Sequence, residues 1–173
     1  QKIPESQDRC IYVDPFGGEK SFRANVGPIR DAVKWVRDGG ALCVFPAGTV
    51  SHLRASDWMV SDPEWSLSTA RLIRASRAPV MPVFFSGKNS AIFQLSGLIH
   101  PVLRTFLLIR EFLKQKNCAI SFKTGNLIGE DKLASFESEL ALMDYLRFRT
   151  YGLSRDMAVD FHPSEANIEA VGV

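Results

Sequence analysis

Leu42-Cys43-Val44-Phe45-Pro46-Ala47-Gly48-Thr49-Val50-Ser51 is the stretch on which the reading of this chain turns. An uncharged apolar run stops at Pro-Ala-Gly and opens into small hydroxyl residues. Pro and Gly cannot extend a ladder or a helix without cost, so the run reads as a buried strand that delivers a loop. In α/β proteins ligands collect at the carboxyl ends of strands, and the backbone N–H groups of Gly48, Thr49 and Val50 are expected to be free to meet one.

Upstream of this run, residues 1–9 are polar and a short strand is expected at 11–13, followed by a glycine-bearing loop. Pro28 then reads as the opening of a helix whose Ile29, Ala32, Val33 and Val36 share one face, and Gly39-Gly40 ends it. Downstream, residues 46–65 read as a long loop carrying Trp58, Pro63 and Trp65, and loops of that length in a compact domain are usually functional. A helix is expected over 67–76 and a strand over 79–85, with Pro82 implying an edge or a bulge. A strand over 118–122 leads to a turn at Thr124-Gly125-Asn126, and a last helix over 133–148 carries Leu133, Phe136, Leu140, Met143 and Leu146 as a stripe. The expected architecture is α/β, a mixed sheet flanked by helices. Residues 1–9 form a loose N-terminal segment, 10–152 the domain and 153–173 a peripheral tail.

The 173 residues suit one domain, with 46% hydrophobic residues available for a core. The net charge of +2 and pI near 8.5 give no electrostatic footprint for nucleic acid. Basic residues are grouped locally: Arg71, Arg74 and Arg77 repeat every three positions on the expected helix and Arg104 and Arg110 flank an apolar run, either as a face for an anionic membrane or acidic carrier or as an ordinary solvated face. Cys10, Cys43 and Cys118 are few, odd in number and mostly in expected apolar strands, and read as buried thiols in a reducing cytoplasm; no Cys/His spacing suggests zinc. The most apolar segment, 89–103 with 106–109 beyond it, is broken by Gly97 and Pro101, so it reads as core or as an interfacial element rather than a membrane span.

The opening stretch resembles the Phe-Pro-Glu-Gly-Thr-Arg-Ser block of the glycerolipid acyltransferase superfamily, which includes lysophosphatidic acid acyltransferases. Phe45, Pro46, Gly48, Thr49 and Ser51 match, while Ala47 stands in place of Glu and Val50 in place of Arg. Ile11 to Asp14 with Gly17-Gly18, and Ala78 to Phe85, resemble the flanking blocks in the same order. Asp14-Pro15-Phe16-Gly17, Phe45-Pro46-Ala47-Gly48 and Phe84-Phe85-Ser86-Gly87-Lys88-Asn89-Ser90 are most similar to a haemolysin-labelled subgroup, some of whose members acylate lyso-ornithine lipid. Several ordered blocks are more specific than one motif.

The resemblance implies a glycerol-3-phosphate acyltransferase-like fold and acyl transfer from acyl-CoA or acyl carrier protein to a hydroxyl of a lyso-lipid. A His base would take the hydroxyl proton while an Asp fixes its tautomer. It implies no cofactor, a peripheral site on the cytoplasmic side of a bacterial inner membrane, and substrate contacts at Phe45, Pro46, Gly48, Thr49 and Ser51. Without Arg at position 50 or at position 15 the acceptor's phosphate loses a bidentate partner, which points to a lyso-aminolipid. The family's His-x4-Asp precedes the Phe-Pro block, yet residues 1–44 contain no His, so the expectation is a fragment lacking its first catalytic block and inactive alone.

His52 and Asp57 have the same spacing but come after the block; they are either a relocated pair or a loop His beside a solvated Asp. Lys88 sits at an expected strand end, where it meets a donor phosphate or solvent, and Trp58 and Trp65 line an acyl channel or pack the loop. Neither Gly-x-Ser-x-Gly nor a Gly-rich phosphate loop occurs, which removes the α/β-hydrolase and nucleotide-binding readings. The rival is a non-catalytic module that binds lipid or acyl carrier.

Overall fold

Ser66 starts the best-defined helix in the fold. Its hydroxyl accepts from the Ser68 N–H at 3.3 Å, and the helix it caps ends at Arg77, which takes a left-handed conformation with φ 56°. In the computed structural model, which describes residues 10–11, 18–53, 58–87, 89–99, 101–114 and 119–160, this is α2 (Leu67–Ser76). The order is α1 (Gly18–Arg37), β1 (His52–Leu53), β2 (Val60–Ser61), α2, β3 (Val83–Phe85), α3 (Ala91–Ile99), α4 (Pro101–Lys114), β4 (Phe122–Thr124), α5 (Glu130–Ala134) and α6 (Glu139–Asp160).

Helices and strands are mixed along the chain, as an α/β reading expects at the coarse level, and among the described residues the strands make two separate antiparallel pairs and no mixed sheet. β1 pairs with β2, His52 opposite Ser61 and Leu53 opposite Val60, so the long loop after Gly48 is itself a small hairpin. β3 pairs with β4 through Val83–Thr124, Phe84–Lys123 and Phe85–Phe122, and a bridge between Val80 and Ile128 continues the pairing. Pro82 lies between ladder and bridge; it donates nothing and its carbonyl accepts from the Gly125 N–H at 2.8 Å.

The core forms where α2, α5 and α6 meet. Ala70, Ile128, Leu133, Leu142, Met143 and Leu146 are buried together, with Trp65, Ile73, Val80, Phe136 and Tyr145 packed around them. Leu133, Met143 and Leu146 of the expected stripe are buried, but the stripe spans two helices, and on α6 the buried face runs through Leu142, Met143 and Leu146 and leaves Leu140 exposed. Ser138 makes the break: its hydroxyl accepts from the Ala141 N–H at 3.0 Å and caps α6. α6 then continues to Asp160, into the segment expected as tail.

Pro28 does not open α1, as its spacing suggests, but lies inside it, ten residues after Gly18. Its ring removes the donor for the Ala24 carbonyl, and Ala24 is exposed, so water can serve that group. The strand expected at 41–45 is also corrected. Those residues carry no strand pairing; Val44 and Phe45 are exposed rather than buried, as are Cys10 and Cys43. An apolar run states a demand for burial and leaves its partner unspecified. The expected N-terminal strand and block at 12–17, and Cys118, lie outside the described residues.

Gly39 and Gly40 do end α1, and each is required. Gly39 has φ 94°, and a Cβ on Gly40 would overlap the Trp35 indole, whose Nε1 donates to the Ala41 carbonyl at 3.0 Å.

Candidate functional site

The Phe-Pro loop begins with a tight turn. Gly48, at φ 65°, donates its N–H to the Phe45 carbonyl at 3.1 Å, so the group expected to be free for a ligand is spent on the turn itself. The N–H groups of Thr49 and Val50 make no hydrogen bond among the described residues. The Pro46 carbonyl accepts from the Ser66 N–H at 2.9 Å, which ties the turn to the start of α2.

Asp62 organises the remainder of the loop. Its carboxylate accepts from the Ser51 hydroxyl and, at 3.1 Å, from Trp65 Nε1. Its N–H donates to the Tyr151 hydroxyl at 2.9 Å, and its carbonyl accepts from Arg147 at 2.7 Å, while the same guanidinium reaches the Pro63 carbonyl at 3.2 Å. Burial first, and then the negative charge of Asp62, push the Tyr151 hydroxyl above its ordinary range despite the opposing hydrogen bond from the Asp62 N–H and the Arg147 charge. The loop is thus clamped to α6, and the Leu53 N–H, donating to Gln94 Oε1 at 2.7 Å, ties the hairpin to α3.

Phe45, Phe85 and Phe122 form a row at the surface. The Phe45 and Phe85 rings are 6.2 Å apart and those of Phe85 and Phe122, cross-strand partners, 5.9 Å, with Phe45 71% exposed. Strand alternation separates Phe84, which faces inward and meets the Tyr151 ring edge-on at 6.0 Å. The row is an apolar platform beside the Phe-Pro turn.

At the far end of the Phe84–Ser90 stretch, the Ser90 N–H and hydroxyl donate to the two oxygens of Glu111 at 2.8 and 2.7 Å. Glu111 is only 4% exposed. The Ser90 backbone bond, then its hydroxyl, hold the Glu111 carboxyl below the usual glutamate range against the effect of burial, with Lys114 and Arg110 adding to the shift.

The expected site residues are therefore placed unequally. Phe45, Pro46, Gly48, Thr49 and Ser51 come together on one turn, with Ser51 engaged by Asp62. His52 is half-buried, its Nδ1 3.3 Å from the Val50 carbonyl, while Asp57 and Lys88 lie outside the described residues. Trp65 packs and bonds as a structural residue, whereas Trp58 is exposed at φ 52°. The arginine series is engaged by neighbouring elements: Arg71 pairs with Glu139 at 3.0 Å, Arg74 donates to the Phe136 carbonyl at 2.7 Å and Arg77 stands 3.9 Å from Glu130. α5 and α6 supply the partners, which a helix read alone cannot reveal. Asp62 and Tyr151 are the functional-loop residues that sequence reasoning missed; the Asp-Pro at the end of the long loop was the one available signal.

A cleft of about 250 Å³ lies between Ile73, Arg77, Glu130 and Leu133, on α2 and α5, and none of its lining residues belongs to the Phe-Pro loop. Among the described residues no cluster of His, Cys, Asp and Glu is arranged to hold a metal ion. Comparison with protein-family models, curated proteins and solved structures finds no match.

Proposed function

We propose that the chain serves acyl transfer from a fatty acyl thioester, acyl-CoA or acyl carrier protein, to the hydroxyl of a lyso-lipid, with a lyso-aminolipid as acceptor, at the cytoplasmic face of a bacterial membrane. The supporting observation is the Phe45, Phe85, Phe122 row, because it sets the first residue of the Phe-Pro block on an exposed apolar platform suited to an acyl chain. The ordered sequence blocks support the same reading, within the acyltransferase resemblance. Among the described residues the N–H groups of Thr49 and Val50 have no partner, and they are the proposed donors to a developing oxyanion. In this proposal the 173 residues hold the substrates and contribute no base.

A second reading has its own observation. Gly48's N–H and Ser51's hydroxyl are both committed within the protein, as suits a module that binds acyl groups without turning them over.

The test is acyl incorporation by the native gene product supplied with acyl-CoA or acyl carrier protein and either lyso-ornithine lipid or lysophosphatidic acid. Acylation of the aminolipid in preference to the phosphate-bearing lipid is expected. Binding of lyso-lipid, weakened by Phe45→Ala, without turnover of either acceptor decides for the module.

A further inference from the structure

Glu111 fixes the rotation of α4. Held inward by Ser90, it is the single acidic residue between positions 86 and 123, a segment that carries Lys88, Arg104, Arg110, Lys114, Lys116 and Lys123. With the whole chain at +2, the remainder is net acidic and the basic charge is concentrated here. At about 100° per residue, Phe106, Ile109, Phe112 and Leu113 fall in an arc of roughly 120° turned away from Glu111. All four are exposed, Phe106 at 73% and Phe112 at 76%. Arg110 and Lys114 lie along one flank of that arc and are exposed too, Lys114 within 3.8 Å of Glu111.

α4 packs chiefly on α3, which contacts β1, so the hairpin forms an outer layer with its apolar arc outward. Ile92 and Leu95, one helical turn apart on α3, add exposed apolar surface. Among the described residues no helix is long and apolar enough to cross a membrane. An apolar arc edged by cations, with the one carboxylate withdrawn, has the pattern of a helix that lies in a lipid interface.

We infer that the α3–α4 hairpin is the membrane-seating element of this protein, with Phe106, Ile109, Phe112 and Leu113 entering the interface of an anionic lipid surface and Arg110 and Lys114 meeting its headgroups. The inference rests on the reading of the chain as a protein that works on lipids, and names the surface by which it reaches them.

Sedimentation of the chain with vesicles of phosphatidylcholine, with and without about one-third phosphatidylglycerol, tests it. Phe106→Ser with Phe112→Ser is expected to reduce partitioning at least about tenfold. Arg110→Gln with Lys114→Gln is expected to reduce it roughly 25-fold on the anionic vesicles alone, at about 1 kcal/mol per cation. Phe148→Ser, which removes an equally exposed ring on α6, is the control and leaves partitioning unchanged. Circular dichroism verifies that each variant is folded. Partitioning that ignores the α4 changes, or that falls equally with Phe148→Ser, overturns the inference, as does a dimer in sedimentation velocity that dissociates in Phe106→Ser/Phe112→Ser while wild type ignores vesicles. Wild type that ignores vesicles but binds monomeric lyso-lipid in solution overturns the hairpin's role alone; loss of both overturns the functional proposal with it.

Discussion

Glu111 accepts both hydrogen bonds that Ser90 can donate, at 2.8 Å from its backbone and 2.7 Å from its hydroxyl, and so ties the start of α3 to α4. The Ser90 hydroxyl also lies 3.4 Å from the Phe93 N–H, the position of a helix cap. Ser90→Ala is expected to cost about 1 kcal/mol in urea unfolding through lost capping. The carboxyl is depressed below its ordinary value of 4.5, so between its folded and unfolded values the unfolded chain binds the extra proton. Stability from Glu111 is therefore complete above 4.5 and lost as pH falls through the folded value. Melting curves from about pH 6 to about pH 2.5 check this: wild type should lose more stability on acidification than Glu111→Gln, and parallel curves would remove Glu111 from the account.

Gly40 and Trp35 are in a close approach that no side chain at position 40 can share. Gly40→Ala forces the exposed indole to move and breaks its hydrogen bond to the Ala41 carbonyl, a cost of about 0.5–1.5 kcal/mol. Gly152, with open space around its would-be Cβ in the interior of α6, is the contrast: Gly152→Ala should stabilise by roughly 0.5–1 kcal/mol. Equilibrium urea denaturation of the two variants should move the midpoint in opposite directions.

α2 is legible in the sequence because its cap and its period are local: Ser66 precedes Leu67, and Arg77 closes the helix. α5 and α6 read as one helix because Leu133 and Phe136 continue the spacing of Met143 and Leu146 across the break, although Ser135 closes the first and Ser138 opens the second. The exposed setting of residues 41–45 is not readable, since composition cannot identify a ladder partner. Nor is the Asp62 network, whose partners Ser51 and Tyr151 are 11 and 89 residues away in sequence. Periodicity carries information within one element and none across a tertiary hydrogen bond.

That network sets a further expectation. Asp62→Ala leaves the Ser51 hydroxyl and Trp65 Nε1 without their carboxylate in a half-buried loop, a loss of about 1–3 kcal/mol. The near-UV circular dichroism of Trp65 should diminish with it. Tyr151→Phe removes the acceptor of the Asp62 N–H and should cost about 0.5–1.5 kcal/mol. The Tyr151 hydroxyl is raised above its ordinary value of 10.0, so above that pH the folded protein retains a proton the unfolded chain has released. Wild type therefore loses stability as pH rises from 10.0 through the folded value, and Tyr151→Phe should show less of that loss in melts up to about pH 11.

His52 supplies the sharpest test of where the base lies. Its Nδ1 is 3.3 Å from the Val50 carbonyl, and a carbonyl only accepts, so that contact places a proton on Nδ1. A His base of the kind the acyltransferase resemblance implies has its ring held by a carboxylate, whereas among the described residues, which do not include Asp57, its contact is a neighbouring backbone group and the Asp62 carboxylate is already taken by Ser51 and Trp65. His52→Ala is accordingly expected to leave acyl incorporation by the native gene product within about twofold of wild type, where removal of a general base costs roughly 10²–10⁴-fold. Initial rates with a radiolabelled acyl thioester and lyso-aminolipid measure the difference directly. A hundredfold fall in kcat with unchanged KM would make His52 the base and would overturn the assignment of these residues to substrate holding alone.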